Sequence, residues 1–182
     1  MATYISILRG INVSGQKLIK MDALRKLYEN LGFGQVTTYV QSGNIIFTSS
    51  NADTRELERQ ISLQIEKETG WKIPVMVLTF NKLKQIIDNN PFTKDPNNNQ
   101  AFMHVTFLWS APLTYDSVSI ENKKQPEEKI AFFNDAVYLY CPDGYGKTKL
   151  TNNFLETKLK IGATTRNWKT TSELLKIAQE LS

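Results

Sequence analysis

The chain has 182 residues, of which 41% are hydrophobic and 22% charged, with a net charge of +4 and a single cysteine. This composition indicates a folded globular protein with one domain of good size or two small ones, and it excludes an intrachain disulfide. No apolar stretch approaches the ~20 residues needed to cross a bilayer, and the N-terminal residues predict a strand, so we expect a cytoplasmic protein.

The first half of the sequence predicts the element order β-α-β-β-α-β-α. Apolar and β-branched runs predict strands at residues 4–8, 36–41, 44–49 and 74–79. Apolar residues at helical spacing predict helices around residues 21–31, 53–69 and 82–88. Asn81 is the expected cap of the third helix, and the Ser42-Gly43 pair predicts a two-residue hairpin loop.

The second half repeats this order after a polar segment that predicts a linker. Strands are predicted at residues 103–109, 129–133, 136–141 and 163–168, with a hairpin turn at residues 134–135. Helices are predicted from Pro112 towards Asn122, around residues 150–159, and from Thr170 onwards. Thr170 and Glu173 have the spacing of a capping box.

The repetition indicates an internal duplication, in which Phe80 of the first half corresponds to Trp168 of the second. A β-α-β-β-α-β unit folds most simply as a four-stranded antiparallel sheet with two helices on one face. We therefore predict an α+β protein with two tandem ferredoxin-like (α/β-plait) modules. The modules are predicted at residues 1–92 and 100–182, joined by a linker at residues 93–99. The second face of each sheet needs cover from the other module, a second chain or a ligand.

Four segments resemble a bacterial family known as domain of unknown function 1697. They are residues 8–13, 39–44, 149–152 and 163–168. The resemblance extends over nearly the whole chain, and it implies the same tandem plait modules that the periodicity predicts. It implies no activity.

Candidate ligand-binding residues are the polar residues of these segments together with nearby basic residues. Polar groups at strand ends and in loops commonly bind ligands, although asparagine, serine and threonine there also cap turns and helices. The candidates are Arg9, Asn12, Lys17, Gln41, Ser42, Asn44, Lys147, Lys149, Thr151, Asn152, Arg166, Asn167 and Trp168.

Basic residues are concentrated in residues 9–26 and 144–170, each of which contains one acidic residue. This pattern is typical of a protein with an anionic partner and equally of a solvated helix face. Our leading hypothesis is a binding protein for a nucleotide or nucleic acid in the cleft between the modules, either a monomer or a homodimer, without a membrane partner. The alternatives are an enzyme acting on a small anionic metabolite without a covalent intermediate, and a homodimerising interaction module.

Other chemistry has weaker support in the sequence. The Gly-Lys-Thr at residues 146–148 resembles a phosphate-binding loop, but Cys141 stands where its first glycine belongs. Backbone N–H groups of a helix beginning at Lys149 remain a candidate anion site. Cys141 and His104 predict a buried thiol beside a core histidine, not a catalytic pair. We expect no metal site and no cofactor.

Two tyrosines of the predicted strand at residues 136–141 leave a further choice open. Tyr138 and Tyr140 alternate with apolar residues, so they lie on one face of the sheet. They either stack nucleic-acid bases on an open sheet face or pack between the two modules.

Overall fold

The protein, described over residues 1–182 by a computed structural model, contains two four-stranded antiparallel sheets. The first has the order β2-β3-β1-β4 and consists of β1 (Ala2–Leu8), β2 (Gly34–Tyr39), β3 (Asn44–Ser49) and β4 (Val75–Thr79). The second has the order β6-β7-β5-β8 and consists of β5 (Met103–Leu108), β6 (Lys129–Phe133), β7 (Ala136–Tyr140) and β8 (Ala163–Asn167).

Six α-helices accompany the sheets. They are α1 (Met21–Asn30), α2 (Thr54–Thr69), α3 (Phe80–Asp88), α4 (Ser117–Glu121), α5 (Asn152–Leu159) and α6 (Trp168–Glu180). Short 3-10 turns lie at Pro91–Lys94, Gln100–Phe102 and Tyr145–Lys147. The predicted α+β fold with two tandem plait-like modules is confirmed. None of the helices combines the length and the apolar composition that crossing a membrane requires.

The chain forms two compact units whose boundaries fall inside α3 and α6. The first unit is Met1–Lys84 with Glu173–Ser182, and the second unit is Gln85–Ser172. The module bounds at residues 1–92 and 100–182, with the linker at 93–99, stay a prediction.

The core of the first unit lies between the sheet and two helices. Leu24 of α1, Leu57 of α2 and Phe47 of β3 are fully buried in one apolar cluster, because both helices place their apolar residues on one side. The hydroxyl of Tyr28 lies 2.6 Å from the Ser6 hydroxyl in the same core, so each buried polar group satisfies the other.

A helix end also reaches the second face of each sheet, which sequence analysis left without a helix. In the first unit, the Thr3 hydroxyl of β1 donates to the Leu181 carbonyl just after α6, at 3.2 Å. In the second unit, the Tyr138 hydroxyl of β7 donates to the Ile86 carbonyl of α3, at 2.6 Å. The helices that follow the last strands therefore contribute to covering these faces.

The first hairpin differs from the predicted two-residue loop. Tyr39 pairs with Asn44, so the connection spans four residues, 40–43. The side chain of Asn44 is fully buried and donates to the Tyr39 carbonyl at 3.0 Å, which closes the longer turn. The second hairpin is as predicted, because Phe133 pairs with Ala136 across two residues.

The helix predicted from Pro112 begins only at Ser117. The starts of the two helices that follow the last strands were also predicted wrongly. The last helix begins at Trp168, and the Asn167 side chain accepts a hydrogen bond from the Thr170 N–H at 2.7 Å, so Thr170 is not the cap. The equivalent helix α3 begins at Phe80, and the Thr79 hydroxyl, not Asn81, accepts from the Lys82 N–H at 3.1 Å. In both units a strand thus passes directly into a helix, with the last strand residue as the cap.

Candidate functional site

In the first unit, the side chain of Asn12 fastens the β1–α1 loop to the β2–β3 turn. Its amide nitrogen donates to the carbonyls of Ile19 at 3.0 Å and Gln41 at 2.8 Å, and its oxygen accepts from the Ile19 N–H at 2.8 Å. Asn12 has a left-handed φ of 54°, which asparagine tolerates better than most residues. Two motif segments that lie far apart in sequence are therefore held together at one end of the first sheet.

Of the other candidate residues in the first unit, some form hydrogen bonds within the protein and others are exposed to solvent. The Asn44 amide also donates to the Ser42 hydroxyl at 2.9 Å, so both side chains support the turn. Lys17 and Gln41 are exposed, and Arg9 is half-buried. The ligand-binding role of these five residues stays a prediction.

In the second unit, Asn152 joins the start of α5 to β8. Its amide donates to the Ala163 carbonyl at 3.0 Å, and its oxygen accepts from the Thr165 hydroxyl at 3.0 Å. The Thr165 hydroxyl also lies 2.8 Å from that of Thr106 on β5. Residues 149–152 and 163–168 are therefore joined by hydrogen bonds within the second unit, and the ligand-binding role predicted for them stays a prediction.

Arg166 and Trp168 are buried, whereas Asn167 between them is exposed. Arg166 is 9% exposed and donates to the Thr164 hydroxyl at 3.0 Å and the Thr165 carbonyl at 2.9 Å. Burial lowers the pKa of its guanidinium to about 10, so it remains charged at neutral pH. Trp168 is 6% exposed, which leaves almost no ring surface on which a base could stack.

The Gly-Lys-Thr segment does not lead directly into a helix. Tyr145–Lys147 forms a 3-10 turn, and α5 begins only at Asn152, with the Thr151 hydroxyl accepting from the Phe154 N–H at 3.2 Å. The expectation of a helix starting at Lys149 is therefore wrong. The Thr151 hydroxyl caps α5, so it already has a structural role at the N-terminus of the helix, where the sequence predicted a bound anion.

Two lysines lie near an aromatic ring on α5, and together with two lysines that precede this helix they form what we call the second-unit basic surface. The Nζ atoms of Lys123 and Lys158 lie 6.0 and 5.9 Å from the ring centroid of half-buried Phe154. Lys147 and Lys149 precede α5 and, like the other two lysines, are exposed.

A further contact connects this surface to the segment that follows α4. The Gln125 amide donates to the Lys147 carbonyl at 3.3 Å, so the chain just beyond Lys123 lies beside the chain that carries Lys147. Sequence analysis named Lys147 and Lys149 but missed Lys123 and Phe154. The available signal was the four-residue spacing of Phe154 and Lys158, which places both on one side of a helix.

Tyr138 and Tyr140 cannot serve as a base-stacking platform. Tyr138 is fully buried and Tyr140 is 9% exposed. The ring of Tyr140 packs against Phe92 and Phe102, with centroid distances of 6.5 and 6.2 Å. Of the two possibilities left open by the sequence, stacking on an open sheet face is therefore excluded.

Cys141 and His104 do not form a nucleophilic pair. Burial, reinforced by the charge of Glu128, raises the pKa of the Cys141 thiol to about 11, so the reactive thiolate is scarce at neutral pH. The ring of His104 stacks on that of Tyr145 at a centroid distance of 4.6 Å. No group of three or more His, Cys, Asp or Glu side chains is placed to hold a metal ion.

His104 predicts a specific dependence of stability on pH. Burial lowers its pKa below the ordinary value, against a smaller opposite effect of the Phe102 backbone. The unfolded chain therefore binds a proton more readily than the folded chain, and the free energy of unfolding should fall as the pH drops below about 6.5. Urea unfolding of the native protein and of His104→Gln between about pH 7.5 and 5 measures this effect, since the chain has one histidine. An equal pH dependence in both proteins would contradict it.

The sequence matches, over residues 1–138, the family DUF1697, described as proteins of unknown function. The chain belongs to this family, which confirms the predicted resemblance, and the segments at residues 8–13 and 39–44 lie within the matched residues. It is similar to a solved structure described as the conserved bacterial protein SP0830 from Streptococcus pneumoniae, with a TM-score of 0.75 and 23% sequence identity. The alignment covers 98% of this chain and 99% of that chain, and at this identity it supports the fold alone. No protein of curated function matches the sequence.

Proposed function

We propose that this protein binds single-stranded nucleic acid at the second-unit basic surface. The observation that carries the proposal is the approach of two lysines, Lys123 and Lys158, to the same ring of Phe154. Proteins that bind single strands combine positive charge for the phosphates with an aromatic side chain on which a base stacks. The proposal keeps the anionic ligand expected from the sequence and assigns it to one unit.

The charges around the surface favour a polyanion. Lys147, Lys149 and Lys158 are exposed, while the Glu156 carboxylate is engaged with the Ala163 N–H at 2.7 Å. Glu121 is partly neutralised by Lys124, whose Nζ lies 3.7 Å from it. Exposed lysines contributed by α5 and by the segment that precedes it suit a chain of phosphates better than one compact nucleotide.

A titration at several salt concentrations tests the proposal. Fluorescence anisotropy of a labelled oligo(dT) should show saturable binding that weakens as salt increases. Four phosphate contacts to a single strand give a slope of log K against log salt of about −2.8, which means about 50-fold weaker binding at 200 mM than at 50 mM salt.

Substituting three of the lysines should remove most of this dependence. In the variant Lys147→Gln, Lys149→Gln, Lys158→Gln, we expect the slope to fall to about −0.7, because one contact remains. The matched control Lys26→Gln, Lys67→Gln, Lys72→Gln changes the net charge equally with exposed lysines of the first unit and should keep the original slope. No saturable binding, or an equal loss in both variants, would refute the proposal.

A further inference from the structure

A hollow of about 290 Å³ lies in the first unit between the β1–α1 loop, the first turns of α1 and the last turn of α2. Most of its lining is apolar and consists of Leu18, Ile19, Ala23, Leu24, Leu27 and Ile65. Leu18 is 64% exposed at this hollow. The lining therefore offers a place for one apolar group of a small molecule.

The remaining lining residues introduce opposite charges. Lys20 directly precedes α1, and Glu68 and Thr69 belong to the last turn of α2. The Glu68 carboxylate accepts a hydrogen bond from the Gln64 amide at 2.8 Å, which holds it on the helix surface. Because no side chain caps α1, its first N–H groups add to the positive potential near Lys20.

We propose that this hollow binds a free α-amino acid with an apolar side chain. The carboxylate of the ligand would lie at Lys20, its ammonium group at Glu68, and its side chain against Leu18, Leu24 and Ile65. A zwitterion matches the two opposite charges, whereas a simple anion would be repelled by Glu68. At about 290 Å³ the hollow is at the lower limit of small-molecule sites, which suits an amino acid and not a nucleotide.

The second unit contains a comparable hollow that lacks the acidic group. It also measures about 290 Å³ and is lined by Ser110, Ala111, Leu113, Thr114, Leu159, Lys160 and Ile161. Lys160 could attract a carboxylate there, but no lining residue carries a negative charge that would pair with an ammonium group. We therefore expect amino-acid binding only in the first unit. The hollow of the second unit serves as a negative control within the same molecule.

Titrations followed by backbone amide NMR test the proposal with three related probes. L-leucine should shift the resonances of residues 18–27 and 65–69 and leave residues 110–114 unchanged. N-acetyl-L-leucine lacks the ammonium group and L-leucinamide lacks the carboxylate, so each should bind at least about tenfold more weakly, the effect of one lost charged hydrogen bond.

Variants separate recognition of the zwitterion from a general affinity for apolar molecules. Glu68→Gln should weaken L-leucine binding about tenfold and abolish the preference for L-leucine over N-acetyl-L-leucine. Glu29→Gln, which removes an exposed carboxylate from α1, should bind like the native protein. Equal binding of all three probes, shifts outside the hollow, or no saturable shifts at millimolar L-leucine would overturn the proposal. So would a concentration-dependent dimer that buries Leu18, since a second copy would then be the occupant.

Discussion

The variant Gly43→Ala should lose about 3 kcal/mol of unfolding free energy, the sum of a strained backbone and a steric overlap. Gly43 has a φ of +79°, which alanine adopts only at a cost. A Cβ atom at this position would lie 2.7 Å from Ile11 Cδ1 and 2.9 Å from Leu8 Cβ, both closer than van der Waals contact allows. Leu8 is buried in β1, so it cannot move aside without disturbing the core.

Gly10→Ala is the matched control for this prediction. Gly10 has a similar φ of +73°, but a Cβ atom there would meet no heavy atom within 4 Å. We expect it to cost only the backbone strain, about 1 kcal/mol. Urea unfolding of both variants at one temperature measures the difference. Equal losses of unfolding free energy would contradict the close packing of Gly43 against Leu8 and Ile11.

The second large effect concerns Phe154 and single-stranded nucleic acid. Phe154→Ala should weaken binding of oligo(dT) between about 5-fold and 150-fold, because stacking of one base on an aromatic ring contributes about 1–3 kcal/mol. A duplex of the same length should lose much less affinity, since its bases are already stacked on each other. The Phe154 ring centroid lies 5.9 Å from the Lys158 ammonium group, so a base stacked on this ring would lie close to a positive charge.

Two controls separate stacking from a loss of structure. Phe154→Tyr keeps the ring and should bind oligo(dT) nearly as well as the native protein, whereas Phe154→Leu keeps the apolar contacts with the core and should bind like Phe154→Ala. Circular dichroism must show that all three variants are folded at the temperature of the titration. Native affinity in Phe154→Leu would exclude stacking as a source of binding.

The fold could be predicted from the sequence because each module repeats a regular alternation of strands and helices. Leu57, Ile61 and Ile65 follow each other at four-residue steps, and all three are buried on one side of α2. The pairing of β6 with β7 followed from a turn of two residues. Local patterns of this kind depend on near neighbours in the chain, so they are visible without a structure.

The details that failed depend on side-chain hydrogen bonds that the pattern of residue types does not show. The Ser42-Gly43 pair suggested a short turn, but the buried amide of Asn44 bonds back to Tyr39 and stabilises a longer one. A sequence also does not show which polar side chains already have partners. Asn12 and Asn152, for example, make hydrogen bonds that join loops and strands of their own units, and their predicted ligand-binding role stays a prediction.

The basic surface was only half visible in the sequence. Lys147 and Lys149 stand out in a basic segment of the sequence, whereas Lys123 follows a helix with few apolar positions and lies 31 residues before Phe154. Only the folded chain brings the Lys123 ammonium group to 6.0 Å from the Phe154 ring centroid.

Backbone amide NMR during a titration with oligo(dT) tests the account most directly, because it reports where the nucleic acid binds. We expect saturable shifts at residues 123–125 and 147–158, which include the lysines and Phe154 of the second-unit basic surface. Shifts confined to the loop at residues 9–20, or spectra that do not change at all, would contradict the account.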